Sequence, residues 1–172
     1  MMNKIVEMNT SMKKVLSSKN NFSFFRANRK KIQSEIVSFF DRVKIYEYNG
    51  EKCFSAENCF DTDININSLK NISTLIDWEW DTNEIYLDKS IIGKEFKRAI
   101  FIALETIELC IVERFPNITF RISLSLQTGK FRNINARIYL DRGVPYTESD
   151  IEGYNQAILN ETYCFYVSSG SE

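Results

Sequence analysis

Histidine is absent from the 172-residue chain, and that omission removes Ser/His/Asp and Cys/His triads, histidine metal sites and a histidine general base together. Glycine and proline are scarce, at 6 and 2 residues, which excludes collagen-like and proline-rich disordered classes. No apolar run approaches the roughly 18 residues of a membrane span. The opening MMNKIVEMNTSMKKVLSSKNN lacks the apolar core of about 7–15 residues that a secretory signal requires. The expected location is therefore the cytoplasm, where Cys53, Cys59, Cys110 and Cys164 are reduced thiols. None of them falls in C-x-x-C spacing, and Cys53 with Cys59 lacks nearby third and fourth ligands, so the cysteines read as small buried hydrophobes and neither metal nor cofactor is expected. The G-x-G-x-x-G, P-loop, G-x-S-x-G and H-E-x-x-H motifs are all missing.

What is present is ordinary apolar content, 44% hydrophobic with 26% charged, enough for one domain. Charge is distributed unevenly. Residues 1–31 carry eight Lys/Arg and one acid, Glu7, whereas the rest of the chain carries 14 basic and 22 acidic residues. The densest feature is 57–88, where Glu57, Asp61, Asp63, Asp77, Glu79, Asp81, Glu84 and Asp88 stand against Lys70 alone.

Residues 1–21 show no steady periodicity and read as a flexible basic lead-in, followed by a single domain over 22–172. Ile32, Ile36, Phe39 and Phe40 recur at helical spacing and predict a helix over 28–42. VKIYEY (43–48) and EKCFSA (51–56) flank Asn49-Gly50 and predict a hairpin. In STLIDWEWDTNEIYLD (73–88), strict alternation predicts a second hairpin over 74–88 with Ile76, Trp78, Trp80, Ile85 and Leu87 inward. Phe96, Ile100, Leu104, Ile107 and Ile111, joined by Phe101, Ile102, Ala103 and Leu109, predict a central buried helix over 93–115 that stops before Pro116. Alternating strands follow over 118–126 and 134–140, then a short helix from Thr147 and a closing strand TYCFYV (162–167). The expected class is α+β: an antiparallel sheet built from hairpins 43–56, 74–88 and 118–140 and the closing strand, with two main helices packed against it.

Three surfaces carry possible chemistry. Glu95-Phe96-Lys97 with Asp77 or Asp88 is superficially like a metal-nuclease set, but residues two apart on a helix diverge, so a solvated first turn is the plainer reading and no enzyme activity is expected. Phe22, Phe24, Phe25, Arg26, Arg29, Lys30 and Lys31 interleave aromatics with cations, a pattern that suits stacked bases and phosphates; the acidic body opposes it, so nucleic acid is not the expected partner. The outward face of the 74–88 hairpin gathers Asp77, Glu79, Asp81, Glu84, Tyr86 and Asp88. Such a face is either solvated or meets a cationic partner.

In the C-terminal third, RFPNITFRISLSL (114–126), RIYLDRGVPY (137–146) and SDIEGYNQAIL (149–159) together resemble the tail of immunity proteins from contact-dependent growth inhibition and related bacterial polymorphic toxin systems. The resemblance implies a protein that binds the C-terminal domain of a cognate toxin, frequently a nuclease, and blocks it. On that reading the partner-binding residues are the acidic hairpin face, with Asp150, Glu152 and Tyr154 from the tail. The alternative is a nucleic-acid-associated regulatory module using residues 22–31. Oligomeric state is not readable from the sequence.

Overall fold

A computed structural model describes residues 5–8, 17, 27–48, 50–56, 72–127, 132–143 and 161–168. In chain order the elements are β1 (Ile5–Met8), α1 (Arg29–Arg42), β2 (Lys44–Tyr48), β3 (Glu51–Ser55), α2 (Ile72–Thr82), β4 (Glu84–Asp88), α3 (Lys89–Ile92), α4 (Phe96–Arg114), β5 (Phe120–Gln127), β6 (Asn133–Leu140) and β7 (Glu161–Ser168). The class is α+β. Five antiparallel strands form one sheet in the order β1-β7-β5-β6-β4, and β2 and β3 form a separate two-stranded sheet. No helix among the described residues is long and apolar enough to cross a membrane.

Alternation sorts the main sheet into two faces. Phe120, Ile122, Leu124 and Leu126 of β5 stand opposite Leu140, Ile138, Ala136 and Ile134 of β6, and Ile85 and Leu87 of β4 continue the layer. All are buried. Against them lie Ile32, Ile36, Phe39 and Phe40 of α1 and Ile100, Ala103, Ile107 and Ile111 of α4, in one hydrophobic cluster. Apolar residues three and four apart place one stripe of each helix on the sheet. Asn28 starts α1 by accepting the Lys31 backbone N–H at 3.2 Å, the usual remedy for an orphan amide at a helix start.

The β2–β3 hairpin turns at Gly50, whose φ of +81° lies in the left-handed region. A Cβ there would meet nothing within 4 Å, so backbone conformation and not space calls for glycine. Although it stands apart from the main ladder, this hairpin is bound in by Phe54. Its ring lies 4.8 Å from Phe120 and 5.7 Å from Phe115, both edge-on, and 6.4 Å from Phe40, centroid to centroid.

Four expectations need correction. Residues 72–82 are helical, so the hairpin expected over 74–88 does not exist; only its second half, β4, is a strand. On a helix Leu75 and Glu79 are one turn apart and both buried, and Thr82 bonds back to the Trp78 carbonyl at 2.8 Å. The alternation arises because Ile76 and Trp80, also one turn apart, bracket Trp78. Second, the lead-in contains β1, whose Ile5 and Val6 pair with Val167 and Tyr166; four residues are too few to register as a period. Third, Phe101 and Leu109 are not in the core: they are 61% and 54% exposed on the outer side of α4. Fourth, the hairpin 43–56 is not part of the main sheet. The helix expected from Thr147 lies outside the described residues.

Candidate functional site

Among the described residues, a buried polar cluster forms where α2 hands over to β4. Glu79, fully buried, accepts the backbone N–H of Phe54 at 2.8 Å and that of Leu140 at 2.9 Å. Arg142 meets the same carboxylate in a two-pronged pair, Nη1 to Oε2 and Nη2 to Oε1, each 2.8 Å, and Nη2 also donates to the Lys52 carbonyl at 2.8 Å. One turn on, Asn83 donates to the Phe54 carbonyl at 2.6 Å and accepts the Ala56 N–H at 3.1 Å. Both backbone groups of Phe54 are thus held by side chains from the α2–β4 corner. Burial works to lower the Arg142 pKa, but its bonds to Glu79 outweigh that and hold it above the ordinary value. Beside this cluster the Cys53 thiol is pushed up to about 11, by burial first and by the Glu79 charge second. Burial also raises the Cys110 thiol. Both behave as buried apolar groups.

The cluster fixes where β4 begins. Asn83 O accepts the Ile138 N–H at 3.1 Å, and the ladder then runs Glu84 against Arg137, Tyr86 against Asn135 and Asp88 against Asn133. These residues share the second face of the sheet with Ser123, Ser125 and Gln127 of β5. Helix α2 crosses that face: Trp80 lies 5.6 Å from the Tyr139 ring, and the Arg137 guanidinium sits 5.2 Å over Trp80. Because β4 ends the sheet, its outward side chains sit at the rim. Glu84 is exposed, 3.6 Å from Arg137, and Tyr86 is 55% exposed. The Asn135 Oδ1 and Arg137 Nε atoms directly behind them are buried without a hydrogen-bond partner among the described residues.

The residues expected to form one acidic face therefore part company. Glu84, Tyr86 and Asp88 do share a face, as period two requires. Glu79 does not: it is an internal acceptor, since two backbone amides and a guanidinium need a carboxylate there. Asp77 and Asp81 belong to α2, and nothing is described of their side chains. Asp88 caps α3, its Oδ1 accepting Ser90 N and Ser90 Oγ at 2.6 Å each and Ile91 N at 3.2 Å; the Ser90 hydroxyl bond above all holds its carboxyl below the usual aspartate range. Asp150, Glu152 and Tyr154 lie outside the described residues, as do Phe22, Phe24, Phe25 and Arg26. In the basic segment Arg29 pairs with Glu105 at 3.2 Å. Glu95, in the superficial nuclease set, accepts the Ala27 N–H at 3.3 Å and pairs with Arg98 at 3.7 Å.

Sequence reasoning gives neither Asn83 nor Arg142 a part in this cluster. Their only signal is that both flank strand ends, and nothing in the spacing pairs them with Glu79. Among the described residues no group of three Cys, Asp or Glu side chains is placed to hold a metal ion. Compared with family models, curated proteins and solved structures, the chain matches none.

Proposed function

We propose that the chain is a toxin-neutralising protein of the immunity type, which acts in the cytoplasm by binding the C-terminal domain of a cognate toxin and turns over no substrate. The sequence pattern of the C-terminal third motivates the reading, and one observation supports its placement: Tyr86 is 55% exposed on the rim strand between Glu84 and Asp88. An aromatic anchor flanked by carboxylates suits a basic groove of the kind a nuclease uses for phosphates. A strand at the end of a sheet also offers backbone groups for pairing. The described part of the contact surface is thus Glu84, Tyr86 and Asp88 rather than the six-residue face expected from alternation, and Asp150, Glu152 and Tyr154, also expected in it, lie outside the described residues.

The test is whether a toxin domain is encoded immediately upstream of the gene and co-purifies with the chain. The parent should form a stoichiometric complex and protect cells. Glu84→Lys with Tyr86→Ala should lose protection and salt-dependent binding while melting like the parent. Undiminished protection by that double variant sinks the placement. A salt-sensitive shift with bulk RNA or DNA, and no toxin complex, favours the basic segment 22–31 instead.

A further inference from the structure

A second surface lies on the opposite side of the sheet, and its pattern is that of a surface matched to itself. Phe101, Glu105 and Leu109 fall four residues apart on α4, so they form one stripe along its outer side. Phe101 is 61% and Leu109 54% exposed, and Val112 is half-buried beside them. Single exposed apolar side chains are common, but these share one helix face. A neighbouring ridge adds to it: on α1, Arg29, Gln33, Val37 and Asp41 are also four apart, and its two ends pair with α4 through Arg29–Glu105 at 3.2 Å and Asp41–Arg114 at 2.7 Å. Val37, 37% exposed, lies between those pairs and extends the apolar stripe sideways.

We propose that this face docks a second copy of the same chain, with the two α4 helices antiparallel about Glu105. The charges single out this occupant. Arg98 stands one turn before Phe101 and Glu113 one turn after Leu109, both exposed, so the stripe is cationic at one end and anionic at the other. A two-fold axis through Glu105 lays Phe101 of each copy on Leu109 of the other and sets Glu113 against the Lys97–Arg98 pair at both ends. A parallel arrangement sets Arg98 against Arg98. The two Glu105 carboxylates meet at the axis, where each already has Arg29 at 3.2 Å to offset its charge. Among the described residues Arg98 is held by a 3.7 Å contact to Glu95 and is 53% exposed, so it can re-pair across the axis. This surface is separate from β4, and the inference does not depend on toxin binding.

Sedimentation velocity and light scattering on the full chain over micromolar concentrations test it. The expected result is a reversible dimer. Phe101→Ser with Leu109→Ser should raise its dissociation constant about tenfold or more, with melting unchanged at concentrations where the parent is monomeric, since both sites are exposed there. Arg98→Glu and Glu113→Arg should each weaken the dimer, and the two together should restore it, since exchanging both charges rebuilds the cross-axis pair; rescue by the double exchange is a readout that lost helix propensity does not produce. A chain that stays monomeric throughout, a dimer indifferent to these substitutions, or an α4 face protected only when a different protein binds would each overturn the proposal.

Discussion

Glu79 and Arg142 meet edge to edge through two 2.8 Å hydrogen bonds, with no exposed surface on the carboxylate. Removing one member leaves an uncompensated buried charge, which commonly costs about 3–5 kcal/mol. Glu79→Leu additionally strands the Phe54 and Leu140 amides. We expect it to unfold the protein or to lower its urea-unfolding free energy by an amount in that range. Adding Arg142→Met should recover part of the loss, and a double-mutant cycle measures the coupling. Strictly additive effects would show that the pair is not coupled.

Alkaline stability should be governed in part by Cys53. Its thiol stays protonated in the folded state up to about pH 11, against an ordinary value of 9.0, so the unfolded chain releases the proton first. The sign follows: the stabilising contribution is whole below pH 9 and is lost as pH rises from 9 towards 11. Cys110 adds in the same direction. Cys53→Ala should flatten the decline in denaturation midpoint over that window, and folded protein should resist thiol alkylation at neutral pH.

The cap on α3 offers a prediction at the acid end. Asp88→Ala removes three hydrogen bonds to Ser90 and Ile91 and should cost about 0.5–2 kcal/mol. Because the native carboxyl titrates below the usual aspartate range, its contribution is present at neutral pH and disappears as pH falls through that lowered value. The parent and the variant should therefore converge in stability at low pH and separate near neutrality. Asp88 also lies in the proposed contact, so this comparison is made on the protein alone.

The rim of β4 should tolerate change that the α2–β4 corner does not. Tyr86→Ala should alter stability by less than about 1 kcal/mol, as exposed positions usually do. Glu84→Lys removes a 3.6 Å ion pair with Arg137, and such pairs are worth about 0–1 kcal/mol. Thermal melts of both variants, set beside Ile107→Asp in the buried face of α4, should separate rim from core by several kcal/mol.

The elements legible in the sequence are those in which local pattern and tertiary environment agree. Asn49-Gly50 between alternating runs marks a hairpin because few residues tolerate its backbone. β5 and β6 alternate cleanly because one face is apolar along its whole length. The stretch 73–82 alternates equally well and is nonetheless helical. Period two is a coincidence of where its aromatics fall, and the helix carries a buried acid, Glu79, that the pattern places outward. Its partners at Phe54, Leu140 and Arg142 are remote in sequence, and no local count reveals them. Phe101 and Leu109 escape the local pattern for the converse reason: a helix that is apolar on nearly every side does not announce which side faces out. Of the expected acidic face, Glu84, Tyr86 and Asp88 stand together among the described side chains, on the part of that segment that is a strand.

The sheet order carries a consequence for how the molecule is made. β7 lies between β1 and β5, so β1 finds its partner only after Val167 has been synthesised. Until then β5 presents an open edge flanked by its apolar face, the kind of template that recruits other nascent chains. Completion of the sheet is necessarily a late, long-range event, slow by comparison with the helices and the two local hairpins. Yield in the cell should accordingly depend on how quickly β7 inserts, and substitutions in β7 should lower the recovery of folded protein more than their effect on the finished molecule's stability would suggest.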